Sequence, residues 1–277
     1  MNPFDYSSEQ IKKEANILRQ NVIKMIAGAG SGHPAGSLGM ADVVSALYFK
    51  ILNHNPTDPK KEDRDRVILS NGHICPLLYA VLASTGYFPK EELSNLRKLG
   101  DKLQGHPSKK DFDLIEASSG SLGHGLSVAC GMAMASQQNE KTYKTWCLMS
   151  DAEHQEGSLW EAVMFASKYK LRNLKAIVDV NNIQLSGDVD QVMPLDLLKT
   201  KYESFGWQVI EVDGHDTEDL LVKLEQANNF ENGPFVVLAK TIPGRGVSFM
   251  EGKWQWHGKA PNTEETKKAL EELSKKQ

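Results

Sequence analysis

Four apolar segments in the second half of the chain constrain its fold more than any other feature. They are TWCLMS (145–150), KAIVDV (175–180), QVIEVD (208–213) and FVVLAK (235–240). Each has the length and aliphatic, often β-branched character of a buried strand. Between them, helical spacing predicts helices near 158–170, 194–205 and 216–230, the first opened by a capping box of Ser158 with Glu161. Strand and helix alternating in this order imply right-handed crossovers, hence an α/β fold: a mostly parallel sheet with helices on both faces. In the first half, Ser7 and Gln10 form a capping box for a helix with apolar positions at Ile11, Ala15, Leu18, Val22 and Met25. That helix ends in the turn GAGSGHPAG. A second helix is expected from about Met40 to Leu52, RVILS (66–70) reads as a strand, and CPLLYAVLASTG as the helix after it. The tail NTEETKKALEELSKKQ reads as a capped, highly charged surface helix.

A chain of 277 residues can bury a large core, and its net charge of −4 gives no reason to expect nucleic acid or an anionic membrane as partner. No apolar run approaches the roughly 20 residues of a membrane span. The start, MNPFDYSSEQIKKE, lacks the basic-then-apolar order of a signal peptide. Cys75, Cys130 and Cys147 lie in apolar surroundings without metal-ligand spacing, so they read as reduced thiols and the location as cytoplasmic.

Asp151 directly follows TWCLMS, and Asn181 directly follows KAIVDV. Ligands of open parallel sheets gather beyond the carboxyl ends of the strands. If these two strands are neighbours, both side chains emerge at one edge about 5 Å apart. A carboxylate, an amide oxygen and a backbone carbonyl make an incomplete oxygen shell that suits magnesium when phosphate oxygens complete it. The alternative is local: Asp151 caps the helix near Ser158, and Asn181 with Asn182 makes a turn. In SSGSLGHGLSVACGMAMA, Gly120, Gly123 and Gly125 bare the backbone ahead of an apolar helix, for approach to a phosphate or for close helix packing. Six of the eight histidines, His33, His73, His106, His124, His215 and His257, adjoin a glycine, as imidazoles presented from polar turns would. There is no HxxxH or CxxC spacing for zinc. Nor does a GxGxxG follow a strand, which argues against a nucleotide-binding Rossmann domain.

With these residues in view, the chain resembles the thiamine-diphosphate-binding part of the transketolases. The resemblance is carried by SGHPAGSLGMADV, SNGHICPLLY, GHPS, GSLGHGLSVACGMAMA, SDAEHQEGSLWEAVMFASKYKLRNLKAIVDVNNIQ and PGRGVSFMEGKWQWHGK, in the family's order over nearly the whole chain. It implies one diphosphate-binding domain over 1–277, with thiamine diphosphate and Mg2+ as cofactors. Asp151, Asn181 and the backbone oxygen of Ile183 would be metal ligands. Gly120, Ser121, Leu122, Ala152, Glu153, Asn181, His73 and His257 would contact the cofactor. His33, His106 and His257 would face the sugar substrate in catalysis, and Glu156 and Glu161 would be buried acids linking two active sites of a dimer. The reaction implied is transfer of a two-carbon ketol unit between a ketose phosphate and an aldose phosphate.

Two positions depart from the family's pattern. Ser150-Asp151-Ala152 stands where Gly-Asp-Gly is usual, and His124 stands where glutamine is usual. The family's pyrimidine-binding and C-terminal domains are also absent from this sequence. The expectation is therefore an N-terminal subunit that works with a separate C-terminal transketolase subunit, two copies of each assembling together. The rival readings are a subunit of a deoxyxylulose-phosphate-synthase-like enzyme and a non-catalytic cofactor-binding homologue. A 2-oxo-acid dehydrogenase alpha subunit has different histidine motifs.

Overall fold

The computed structural model describes residues 2–275. Five parallel strands form its sheet: β1 Arg66–Leu69, β2 Thr145–Ser150, β3 Leu174–Val180, β6 Gln208–Asp213 and β7 Phe235–Lys240, in the spatial order β1-β2-β3-β7-β6. A two-stranded antiparallel hairpin, β4 Ile183–Gln184 with β5 Gly187–Asp188, follows β3 directly. The strands expected from the apolar segments are all present, and β2 and β3 are neighbours in register, with Ser150 opposite Asp179.

Side chains of successive residues leave a strand on opposite faces, and β2 shows how both faces fill. Trp146 and Leu148 enter one apolar cluster, whereas Cys147 and Met149 enter the other. The first cluster is roofed by α1 Ser8–Ala29, α2 Pro34–Gly39, α3 Ala41–Ala46 and α4 Cys75–Ser84, with α9 Thr217–Asn229 and α10 Thr263–Ser274. The second lies under α5 Gly125–Gln138, α6 Gly157–Lys168 and α8 Leu198–Ser204, while the single turn α7 Val189–Val192 follows the hairpin. β3 leads on towards α8 on one face and β7 towards α10 on the other, so a crevice opens between their carboxyl ends.

Local sequence signals agree with the structure at most helix ends. Ser7 and Gln10 cap α1 reciprocally, and Gly30 closes it in the left-handed conformation. The second helix runs from Ala41 through a π-helical turn, Leu47–Ile51, to Leu52. Four details differ from expectation. PAGSLG within the glycine-rich turn is helical, because Pro34 occupies the first helical position, where its missing N–H costs nothing. Helix α6 begins at Gly157, which places Ser158 inside it; its hydroxyl donates to the Gly123 carbonyl at 3.3 Å, and the Ser158–Glu161 box does not form. The helix expected over 194–205 occupies only Leu198–Ser204. The C-terminal helix is not purely a surface element: Ala269 and Leu273 are buried, and the Asn16 amide holds the Leu273 carbonyl at 2.8 Å. Cys75, Cys130 and Cys147 are buried and unbridged. Among the described residues no helix is long and apolar enough to cross a membrane.

Two glycines of α5 have opposite roles. A Cβ on Gly125 would lie 2.3 Å from the Ser70 side chain, so only glycine lets the start of the helix sit against the residue after β1, whereas a Cβ on Gly131 would meet nothing within 4 Å among the described residues. Gly125→Ala is expected to destabilise the chain by about 1–3 kcal/mol through overpacking. Gly131→Ala is expected to stabilise it by up to about 1 kcal/mol through helix propensity. Urea unfolding midpoints of the two variants would move in opposite directions.

Candidate active site

At the carboxyl end of β2, Asp151 is 3% exposed, and at the end of β3, Asp179 is 1% exposed. Asp151 accepts from the Asn182 amide at 2.6 Å and the Ala152 amide at 2.7 Å. It therefore caps the short turn Ala152–Gln155, not α6. Asp179 accepts from the Thr241 hydroxyl and, at 2.7 Å, from the Asn181 side-chain amide. A carboxylate only accepts, so Asp179 fixes which end of the Asn181 amide faces inward. The Asn181 oxygen is turned the other way, where it receives the Ile183 N–H at 3.0 Å. Asn182 supplies the turn, with φ of 58° and its side-chain oxygen accepting from Asp190 N at 3.1 Å. The turn reading of the asparagine pair thus holds for Asn182.

Burial pushes Asp151 up to about 6, although the amides of Asn182 and Ala152 pull the other way. Burial, with the nearby charge of Asp151 added, pushes Asp179 up to about 7 despite the Thr241 hydrogen bond. Among the described residues neither carboxylate has a cationic partner within salt-bridge distance. Two buried acids side by side are what a divalent cation would relieve. No three or more His, Cys, Asp or Glu among the described residues could hold a metal by themselves. A shell built on Asp151, Asn181 and the Ile183 carbonyl, as the resemblance implies, would thus be incomplete and would need ligand oxygens.

Across the crevice four histidines converge. The His33 ring lies 5.3 Å from His73, 6.2 Å from His106 and 5.6 Å from His257, and His73 lies 5.0 Å from His257. They come from four loops: His33 stands at the N-terminus of α2, His73 follows β1, His106 precedes the glycine loop, and His257 follows β7. Gly120 joins the cluster with φ of 143°, a conformation reserved for glycine, and a Cβ there would sit 3.3 Å from the His106 ring. A Cβ on Gly36 would approach both Asp179 (3.9 Å) and His73 (4.0 Å), which brings the acid pair and the histidine cluster to one place. Nδ1 of His33, both polar ends of the Asn71 side chain and the Ser119 hydroxyl are buried here without a hydrogen-bond partner among the described residues. These orphaned groups, with the uncompensated acids, fit a polar, anionic ligand held through a cation.

The remaining candidates divide. Ser121 is exposed and Leu122 half-buried in the loop before α5. The Ala152 amide is turned onto Asp151, and neither Ser150 nor Ala152 has positive φ, so the departure from Gly-Asp-Gly strains no backbone. Glu153 is fully buried and turned inward: its carboxylate takes the Ser70 hydroxyl and the amides of Gly123 (2.7 Å) and Ser150 (3.3 Å), tying the glycine loop to the strand ends. Its side chain braces the site from behind. Glu156 and Glu161 are exposed on the single chain, where burial by a second copy would have to act. His124 is exposed at the start of α5, and His215 stands apart, bonded to Asp42 at 2.7 Å.

Sequence reasoning missed Asp179, although a lone acid inside the apolar run KAIVDV is a usable signal. It also missed Arg97, which reaches from a left-handed residue (φ 61°) to the Ser31 hydroxyl (3.2 Å) and the Gly105 carbonyl (3.3 Å), joining two histidine loops. Buried His154, under the Asp151 turn, carries no glycine signal; its Nδ1 lies 2.9 Å from the Ser150 carbonyl and its Nε2 2.8 Å from the Tyr202 hydroxyl.

This arrangement has known relatives. Residues 10–276 match the family described as "Transketolase, thiamine diphosphate binding domain". The chain belongs to that family. It is 41% identical over 258 residues to the transketolase of Pongo abelii, a match covering 93% of this chain and 41% of that protein. It is 38% identical over 268 residues to a Phocaeicola vulgatus protein named as one subunit of an apulose-4-phosphate transketolase, covering 97% and 95%. Among solved structures it is similar to the transketolase of Campylobacter jejuni subsp. jejuni, with a TM-score of 0.91, 36% identity, and 96% of this chain and 43% of that one covered. The match thus spans about two fifths of the Pongo abelii transketolase's length.

The crowded histidines have a measurable consequence. Burial first, then the charges of His257, Arg97 and His106, lowers His33 to about 4 from an ordinary 6.5. The unfolded chain therefore takes up this proton before the folded one, so the contribution of His33 to stability is complete above about 6.5 and is lost as pH falls towards 4. Histidine-selective 15N NMR should show His33 still neutral at pH 5.5, and the stability difference between wild type and His33→Asn should shift across that window.

Proposed function

We propose that this chain is the diphosphate-binding subunit of a two-chain transketolase that moves a two-carbon ketol unit from a ketose phosphate to an aldose phosphate. The observation that carries the reading is the meeting, at one sheet edge, of Asp151, Asp179 and Asn181 with four histidines. Asp151, Asn181 and the Ile183 carbonyl would hold Mg2+, and the metal would grip the diphosphate of thiamine diphosphate. The loop at Gly120, Ser121 and Leu122, the turn after Asp151, His73 and His257 would enclose the cofactor. Thiamine diphosphate, when bound, supplies the electron sink for breaking a carbon–carbon bond beside a carbonyl.

The chain's own contribution is binding, orientation and proton placement. His33, His106 and His257 would meet sugar hydroxyls as neutral imidazoles, each with one N–H to donate and one bare nitrogen to accept. Lowered to about 4, His33 is too weak a base to hold a proton at neutral pH, so its part is to orient a hydroxyl. Asp179 orients Asn181, and Glu153 holds the glycine loop against the strand ends. The relative in Phocaeicola vulgatus, matched over nearly its whole length, is named as one subunit, which supports an enzyme divided between chains. A C-terminal partner carrying the pyrimidine-binding and third domains, in two copies with two of this chain, would complete the enzyme in the cytoplasm.

Calorimetry with the reconstituted pair tests the metal site. Asp151→Asn is expected to weaken Mg2+-dependent binding of thiamine diphosphate at least about tenfold, since a ligand carboxylate is lost. Unchanged affinity would exclude Asp151 as a ligand. Ketol transfer between sugar phosphates is expected only when the partner is present, and robust transfer by the purified chain alone would overturn the division of labour.

A further inference from the structure

His215 in the turn DGHD belongs to no part of the site described above, yet it is the middle of a buried polar chain that ends there. Arg19 of α1 binds the Leu38 carbonyl at 3.0 Å through Nε and grips both oxygens of Asp42 in α3. Asp42 accepts from Nδ1–H of His215 at 2.7 Å. The opposite nitrogen, Nε2, accepts the backbone N–H of Ile242 at 2.8 Å. Arg19 and Asp42 are at most 7% exposed, and the His215 side chain 8%. Burial alone would raise the Asp42 carboxyl, but Arg19 and His215 outweigh it and bring it below its ordinary value.

Ile242 is the second residue beyond β7, and the residue between them is Thr241. Thr241 N donates to the Val180 carbonyl at 3.2 Å, while its hydroxyl binds Asp179, the acid that orients Asn181. Towards Gly39 and Gly214 this point is closely packed. A Cβ on Gly214 would lie 2.8 Å from Thr241 Cγ2, and one on Gly39 would lie 3.1 Å from the Ile242 carbonyl and 3.3 Å from the Thr241 hydroxyl. On its other side the strand exit is open, with Ile242 exposed, so the bond from the Ile242 N–H to His215 is the tie that holds it there.

We propose that His215 is a positioning residue of the metal site: by anchoring the Ile242 amide it seats Thr241 on Asp179, and so holds the Asn181 oxygen in place. The proposal rests on the reading of Asn181 as a metal ligand, but its test does not depend on that reading alone. His215→Gln can place an amide oxygen near the Nε2 position and keep the Ile242 bond, whereas His215→Asn can keep only the Asp42 bond.

Hydrogen exchange on the full chain without ligand should show faster exchange at Ile242, and also at Asn182 and Ile183, in the Asn variant but not in the Gln variant. Thr241→Val should loosen Asn182 and Ile183 while Ile242 stays protected, which separates the relay from a general loss of fold. With the partner present, the Asn variant should bind thiamine diphosphate with Mg2+ about 10-fold to 100-fold more weakly, the range for a lost partner behind a metal ligand. Equal behaviour of the Gln and Asn variants, or protection of Asn182 and Ile183 unchanged when Ile242 is freed, would overturn the proposal. Failure of the wild-type pair to bind the cofactor would instead overturn the proposed function, with exchange still deciding the relay.

Discussion

Two carboxylates buried side by side at the ends of adjacent strands are the constraint around which this molecule is arranged. Asp151 and Asp179 cost stability where they are, since each is out of water and the charge of Asp151 adds to the rise at Asp179. The fold holds them with donors from several directions: the Asn182 and Ala152 amides on Asp151, the Thr241 hydroxyl and the Asn181 amide on Asp179. Those bonds compensate for hydrogen-bonding capacity but not for charge. In the proposed function, a bound cation would supply that missing charge compensation.

The histidine cluster solves a related problem by the opposite means. Four imidazoles within 5.0 to 6.2 Å of a neighbour cannot all carry charge, and burial with mutual repulsion keeps His33 and His73 below their ordinary range. The ordinary imidazole value near 6.5 would have made each a proton carrier at neutral pH. Burial, reinforced at His33 and His73 by their neighbours, converts them instead into neutral hydrogen-bonding groups, with Arg97 bracing two of their loops. A wall of neutral donors and acceptors opposite an anionic anchor is suited to a ligand with a charged tail and many hydroxyls.

Much of the sheet was legible because a strand buried on both faces must be apolar along its whole length, and few other elements of four to seven residues share that need. The position of Asp151 and Asn181 at strand ends followed from the same pattern. Less was legible where a residue's role depends on something distant in sequence. Six histidines share a glycine neighbour, yet His215 is a brace and His124 a surface residue, because glycine marks a turn and says nothing of what the turn faces. Ser158 and Glu161 have the spacing of a capping box, but the helix begins one residue earlier. Glu153 lies two residues from Asp151 in sequence and points the other way in space, since neighbouring residues of a tight turn diverge.

By itself, the sequence determined the alternation of strands and helices, the apolar length of each strand, and the family motifs with the residues they contain. These depend on neighbours within a few positions, where periodicity and turn chemistry act. Only the tertiary structure decided which motifs meet. Strand order placed β7 between β3 and β6, and so brought Thr241 to Asp179, 62 residues away in sequence, and Ile242 to His215. Such pairings are set by how whole layers pack, a cooperative property that no short stretch of chain encodes.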